Sequence, residues 1–563
     1  MAQAVSAAAS DKPHIQLSPG RRNAVLGAVL LGLFLAALDQ TVVGTALPRI
    51  VTDLHGNNLY TWVVTSYLLS STISVPIYGK LSDVYGRKIM LLAGIVIFLA
   101  GSALSGLSQD MTQLIAFRGL QGVGAGALFP IALAVIGDLF TPRERGRYQG
   151  VFGGVFGLSF IIGPFVGGWI TDNISWHWVF YVNLPIGLAA LAVIVGILPN
   201  FHPDIRTSAR DLDYLGILVF TAAVVPILLG LTNKVTSSGK LNAWTDPSVG
   251  GLIVLGLALV GVFLFIESRA KQPIIPLSLF RSKTISATNT AVFLVAFGMF
   301  ASIIFLPRYY QAVRGYSATD SGYLIWPLLV GLIGSSIVSG IVISRIGKYK
   351  LILLGSMCIF VIGAFVMTSL NATSSDAHLW LGMLLIGLGI GPSMSGFTVV
   401  VQNCVSAQEM GVATSTLTFL RQIGGSVGLA ISGTLFGQTF ATKVPQEFAA
   451  QGLPRAMYAR FATHGTGSGG QQSLTGVGLA AQLHRQLPPG MAQFIPKIVT
   501  AIHDAFSVAI GQIFWLTVWS GVAALVATLL IAEVPLRGAA TPVRGSVPSA
   551  PEDELPVYEA AAR

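Results

Sequence analysis

Apolar stretches of about twenty residues recur along this chain, separated by short segments that hold nearly all of its charge. A bilayer core roughly 30 Å thick needs about 20 mostly apolar residues per helix, so each stretch predicts one crossing. The stretches centre on residues 24–46, 58–79, 89–108, 112–138, 148–170, 178–198, 213–233, 248–266, 286–306, 321–344, 350–370, 379–403, 411–435 and 508–532. The pattern therefore predicts an all-α polytopic membrane protein with fourteen transmembrane helices. One outer loop is long, residues 437–507, and it is Gly-rich between Gly465 and Gly478. Its end, Met491 to Phe506, has an apolar spacing that suits an interfacial amphipathic helix. The polar ends, 1–20 and 537–563, read as disordered cytoplasmic tails. The first lacks the apolar core of a cleaved signal peptide.

Composition points the same way. Of 563 residues 53% are hydrophobic and only 10% charged, where a soluble domain carries roughly 25% charge. The net charge of +10 reads as a positive-inside bias, with no call for a nucleic-acid partner. An even number of spans puts both termini on one side. With cytoplasmic termini, 21 Lys and Arg fall inside and 10 outside, and Arg118 and Arg421 lie within spans. Five of the outer ten belong to the long loop, which weighs little on orientation. The expectation is a multi-pass protein of the cell membrane, both termini cytoplasmic. Cys358 and Cys404 lie far apart, in or beside apolar runs, and suggest neither a disulfide nor a metal site. No cofactor is expected.

The chain repeats itself. Gly122-Val-Gly-Ala-Gly126 returns as Gly387-Leu-Gly-Ile-Gly391, 265 residues on. At that offset Asp138 meets Asn403, Glu144 meets Glu409 and Gly146 meets Gly411. Gly79 to Lys88 matches Gly340 to Tyr349 at offset 261, where Asp83 meets Ser344, Gly86 meets Gly347 and Arg87 meets Lys348. Two six-helix halves in the same orientation follow, 21–200 and 286–536, with two extra helices in the linker 201–285. Parallel halves imply a pseudo-two-fold axis along the membrane normal and a cavity between them.

Several motifs sit at the helix ends of this frame. The first span ends Leu38-Asp-Gln-Thr-Val-Val-Gly-Thr-Ala-Leu-Pro48, the loop after the second is Gly79-Lys-Leu-Ser-Asp-Val-Tyr-Gly-Arg-Lys88, and the fourth contains Arg118-Gly-Leu-Gln-Gly-Val-Gly-Ala-Gly126. The fifth carries Gly163-Pro-Phe-Val-Gly-Gly168, and the sixth begins Trp176-His-Trp-Val-Phe-Tyr-Val-Asn-Leu-Pro-Ile-Gly187. In this order they resemble the major facilitator superfamily, in its fourteen-helix drug:proton antiporter subfamily of multidrug and lipid exporters. His177 departs from the usual WRW. The resemblance covers about residues 22–536. It implies that Gly79, Asp83, Gly86, Arg87 and Lys88 latch the halves in the outward-open state, and that Gly163, Pro164, Gly167 and Gly168 form the antiporter motif.

The residues also speak for themselves. Asp83 stands four before Arg87, a spacing that permits an ion pair, and an acid near the start of the third helix meets its dipole. A topology-fixing turn is the alternative. The Gly and Pro of the fifth span predict close packing with a bend, suited to a sliding seam between halves. Asp39 lies seven residues from the outer end of the first span and Arg118 six into the fourth, roughly 10 and 9 Å deep. An ionisable residue at that depth needs a partner or a watery cavity. Asp39 and Arg118 are therefore candidates for proton coupling, with a structural pair or a substrate contact as alternatives. Arg421, eleven residues into the thirteenth span, replaces the apolar Phe156 of the first half and is a cavity candidate, with a bond to the carbonyls of a broken helix as the alternative. Trp62, Tyr67, Gln121, Gln402, Asn403 and Gln422 either line a mixed pocket or bond helices together.

No phosphate-binding loop, HExxH or nucleophile elbow occurs in the short cytoplasmic segments, so no catalytic residue is nominated and the chain is not expected to be an enzyme. The leading expectation is proton-driven export of amphipathic small molecules, lipids included, by a monomer in contact with membrane lipid. The alternatives are export of a defined metabolite, such as an amino acid, siderophore or lipid, and a non-transporting sensor.

Overall fold

The computed structural model describes residues 17–54, 59–199, 213–234, 242–453, 483–484 and 489–536. Residues 1–16 of the expected tail 1–20, the whole tail 537–563, the Gly465–Gly478 stretch and residues 201–212 of the linker 201–285 lie outside the described residues. Every predicted span is helical. The helices are α1 (Pro19–Asp53), α2 (Tyr60–Tyr85), α3 (Arg87–Gly106), α4 (Met111–Leu139), α5 (Pro142–Asn173), α6 (Trp178–Tyr181), α7 (Asn183–Ile197), α8 (Tyr214–Asn233) and α9 (Leu252–Glu267). They continue with α10 (Lys283–Ala312), α11 (Ala318–Leu324), α12 (Trp326–Ile346), α13 (Lys350–Thr368), α14 (Asp376–Cys404), α15 (Met410–Ala450) and a last helix α16 (Ile495–Leu529). No strand occurs among the described residues. In lipid every backbone donor must be satisfied within the segment, which leaves the helix as the only choice for such apolar runs.

Twelve helical segments are long and apolar enough to cross a membrane, α6 and α7 together forming one of them. The two predicted spans outside this set are α2 and α15, which are rich in hydroxyls. Those hydroxyls bond back to their own helices, Ser70 to the Ser66 carbonyl at 2.8 Å and Thr418 to the Thr414 carbonyl at 2.9 Å. α2 and α15 also pack on each other across the two halves.

The repeat is realised in packing. Gly122 and Gly126 of α4 press on α2 and Gly124 presses on α3, while Gly387 and Gly391 of α14 press on α12 and Gly389 presses on α13. A glycine every second residue thus serves two neighbours on alternate sides, which only small residues allow. Gly86 (φ 94°) and Gly347 (φ 73°) hold the same place in the two halves, each ending a helix in the left-handed region.

The extra pair α8–α9 lies against the α2–α15 seam. Phe220 of α8 packs its ring 5.2 Å from Phe419 of α15, and it shares an apolar cluster with Ile73 of α2 and Phe263 of α9. Residues 532–536 tuck back under the second half. The Tyr349 hydroxyl donates to the Ala532 carbonyl at 2.9 Å and accepts from the Val534 N–H at 2.9 Å. Burial pushes this phenol up to about 12, so it remains a donor at physiological pH.

Two expectations about the long loop change. α15 runs on to Ala450, so residues 437–450 of the expected loop are helix. Its 41 residues span about 60 Å, twice a bilayer core. The stretch 491–506 is not an interfacial helix either, because from Ile495 onward it is the first part of α16. Ile498, Ala501, Ile502 and Phe506 are buried in the core of the second half, and the Phe506 ring lies 5.0 Å from that of Phe436. Apolar spacing showed a one-sided helix there, and its apolar side faces protein.

Candidate functional site

The first constellation grows from the junction of α2 and α3. Gly86 interrupts the helix for one residue, so Asp83 sits in the last turn of α2 and Arg87 begins α3. Both are almost fully buried. Arg87 pairs with Asp83, reaches Asp138 of α4 at 3.0 Å and donates to the Ser82 hydroxyl at 2.7 Å. The other Asp83 oxygen accepts the Val412 N–H at 2.9 Å, in the first turn of α15. The acid therefore meets a helix dipole, but that of α15 in the opposite half and not that of α3. Gly79 lies directly against Ser415, and Gly411 against Asp83 and Arg87. Lys88 stays within its own half, bonding the Val195 carbonyl at 2.8 Å.

The second half copies this contact in neutral form. Ser344, the counterpart of Asp83, accepts the Arg147 N–H of α5 at 2.9 Å, and Arg147 is the counterpart of Val412. Gly340 lies against Gly146 as Gly79 lies against Gly411. Each half thus docks the last turn of one helix near the start of a helix in the other half. Gln149 to Gln402, at 2.6 Å, adds a further bond on the same side. These bonds hold the halves together at the end that bears the α2–α3 turn.

The second constellation lies inside the first half. Asp39 and Arg118 do share a depth, and both are 1% exposed. Arg118 donates to one Asp39 oxygen at 2.5 Å, while Gln121 at 2.9 Å and Asn183 at 3.0 Å donate to the other. Arg118 also donates to the side-chain Oε1 of Gln121 at 2.7 Å, and its guanidinium lies 4.1 Å from the centre of the Tyr67 ring. Asn183 reaches Asp39 from the start of α7, in the sixth span. It donates also to Ser102 at 3.0 Å. The motif of the sixth span contains Asn183, yet nothing in its spacing singled it out. Ser102 gave no signal at all.

The remaining candidates disperse. Tyr67 and Gln121 belong to the Asp39 network. Gln402 donates to the Leu133 carbonyl at 3.2 Å, and Asn403 donates to the Val534 and Pro535 carbonyls at 3.3 Å. Both lie at the turn-side end of α14, so the interhelical-bond alternative describes them. Trp62 is half-buried in α2. Arg421 and Gln422 each keep a buried side-chain atom without a partner among the described residues.

The antiporter-like run packs differently from the expectation. Gly163 lies against Thr41 and Gly167 against Val42 and Thr45, all on α1 of the same half. Thr41 closes this contact by donating to the Ser159 carbonyl at 3.1 Å. The seam between halves uses another stripe of α5, Gly146, Gly150, Gly153 and Gly157, which faces α12. Spacing revealed close approach but not to which helix. Pro164 faces Gly322 of α11, and Gly168 is half-buried.

A family model described as Major Facilitator Superfamily matches residues 29–429. The chain is 40% identical over 415 residues to the Multidrug transporter protein MdtP of Bacillus subtilis (strain 168), covering 74% of this chain and 75% of that protein. It is 34% identical over 516 residues to Multidrug resistance protein 3 of the same organism, covering 91% and 95%. Among solved structures the proton:xylose symporter XylE superposes with a TM-score of 0.55 at 13% identity, covering 92% of this chain and 97% of that one, a likeness of fold alone. Two repeated six-helix halves, docked through matching helix ends and matched by family and relatives, make this chain a membrane transporter, not an enzyme, that belongs to the Major Facilitator Superfamily.

Proposed function

We propose that this transporter exports amphipathic small molecules, such as drugs, dyes or lipids, from the cell by proton antiport with alternating access. The observation that carries the reading is the paired docking at the turn-bearing end, Asp83 on Val412 and Ser344 on Arg147. Few bonds, placed at one end of two rigid halves, suit a seam that opens there and closes at the other end. The Lys and Arg distribution puts that end in the cytoplasm in this reading, so the contacts described are those of a seam closed on the cytoplasmic side. Relatives named as multidrug proteins support the substrate class. Asp39 is the proton-coupling acid in this reading, since it is a carboxylate deep in a span whose three partners come from two other helices, α4 and α7.

Inside-out membrane vesicles test the proposal. With an acid interior they should accumulate amphipathic fluorescent dyes, and a protonophore should abolish uptake. Each dye taken up should also release protons from the lumen. Dye uptake unaffected by collapsing the pH gradient would overturn proton antiport, and uptake of no amphipathic dye would overturn the substrate class.

A further inference from the structure

The two guanidiniums buried at the constellations above have carboxylate partners: Arg87 has Asp83 and Asp138, and Arg118 has Asp39. Arg421 differs. It enters no ion pair or hydrogen bond among the described residues, and its Nη2 is buried. The architecture does not demand a cation at this point. The matching place in the first half is Phe156, whose ring packs between those of Phe129, 6.0 Å away, and Phe160, 5.1 Å away. An unpaired charge in a low-dielectric interior is costly to keep, so a purely structural role leaves Arg421 unexplained.

Its surroundings are specific. α10 and α15 run side by side in the same direction, with Gly424 against Phe293 and Gly428 against Phe297. That register puts Arg421 level with residue 290 of α10. Asn289 lies on the same stripe as Phe293 and Phe297, four residues apart each time, and so faces α15 at the level of Arg421. Asn289 is 3% exposed, and its Oδ1 has no partner. The Oε1 of Gln422 is likewise buried and unpartnered. One cationic donor and two amide acceptors, all unsatisfied, therefore gather at one depth. That depth is eleven residues into α15, about 16 Å from its start and near mid-membrane. Phe293 and Phe300, beside Gly424 and Gly425, add an aromatic wall.

We propose that Arg421, Asn289 and Gln422 form a headgroup subsite for an amphipathic substrate that carries an anionic group next to an N–H or O–H donor. The guanidinium takes the anion, the two amide oxygens take the donor, and the phenylalanines take the apolar part. The headgroup of a resident bilayer lipid stays at the interface, so at this depth the anion belongs to the transported molecule. The inference deepens the export reading and rests on it.

Two probes that share one ring skeleton test it: 8-anilinonaphthalene-1-sulfonate, with a sulfonate beside its N–H, and the neutral N-phenyl-1-naphthylamine. Their gradient-driven uptake is compared in inside-out vesicles holding the full chain. The wild type should favour the sulfonate. Arg421→Gln should lower the ratio of sulfonate to neutral uptake at least tenfold, and Arg421→Lys should keep most of it. Arg421→Gln should also raise the melting temperature of the purified protein, because it removes an unpaired charge. An unchanged ratio in Arg421→Gln, or a fall in melting temperature, would overturn the subsite. A wild type that moves only the neutral probe overturns the subsite and leaves the export reading standing. Movement of neither probe overturns both.

Discussion

Asp83→Asn isolates the bond that ties the first half to α15. Asp83 gives one oxygen to Arg87 and the other to the Val412 N–H, and it is 3% exposed, so water hardly screens either contact. Asparagine keeps the volume but presents an N–H₂ on one side. It therefore opposes either Arg87 or Val412. Arg87 still has Asp138, so no guanidinium is stranded and the fold should hold. The loss is one hydrogen bond to a charged group, about 1.5–3 kcal/mol, which includes the attraction of the carboxylate to the start of α15. Taking about 2 kcal/mol, at 1.4 kcal/mol per factor of ten, the equilibrium shifts roughly 30-fold toward opening at the turn-bearing end. A protein poised at even populations then moves to about 97% open. Spin labels at Arg21 and Lys348, exposed near that end in opposite halves, read the change by pulsed electron paramagnetic resonance. Cys358 and Cys404 are replaced first. An unchanged distance distribution in a variant that melts like the wild type would refute the reasoning.

Three other perturbations have defined outcomes. Asp39→Asn strands Arg118 in a fully buried site and should destabilise the protein by about 3–5 kcal/mol, seen as a lower melting temperature in detergent; material that still folds should lose pH-driven uptake, and a variant that melts and pumps normally would rule out both roles. Gly340→Ala puts a methyl against the Gly146 backbone of the other half and should favour opening in the spin-label assay, whereas Gly389→Ala, against Phe360 in its own half, should lower the melting temperature without shifting that equilibrium. Thr373→Cys should react with an impermeant thiol reagent added outside intact cells and Ser268→Cys should not, in the background without Cys358 and Cys404; the reverse pattern would invert the orientation.

The spans and the repeat were legible because lipid imposes a length and an apolarity on every crossing, and because the halves share glycines at fixed offsets. The depth match of Asp39 and Arg118 was legible too, since helical rise converts residue number into distance. What the sequence withheld is contact identity. Gly163 announces that something comes close, but only the tertiary arrangement decides that it is Thr41 of α1 and not the other half. The spacing of Asp83 and Arg87 gave their ion pair, but the helix start that Asp83 caps lies 329 residues away, at Val412. Asn183 escaped because the spacing of one span does not say which of its polar residues faces a buried acid on another helix. The outer part of α15 escaped for a related reason: a helix that leaves the bilayer loses its hydropathy signal and keeps its hydrogen bonds.

The α8–α9 pair makes the two flanks of the molecule unequal. The halves are related by a pseudo-two-fold axis, so the α2–α15 seam and the α5–α12 seam are counterparts. α8 covers the first through Phe220, Ile73 and Phe419, and among the described residues no comparable hairpin covers the second. A rocking motion about the axis must stretch a covered seam on one flank and a bare seam on the other. α8 touches both α2 and α15, so it must ride with one and slide over the other, with the Phe220–Phe419 contact as the bearing surface. A molecule dissolved in the bilayer accordingly meets one flank covered by a hairpin and one where α5 and α12 pack directly on each other, an asymmetry that two identical halves alone would not have.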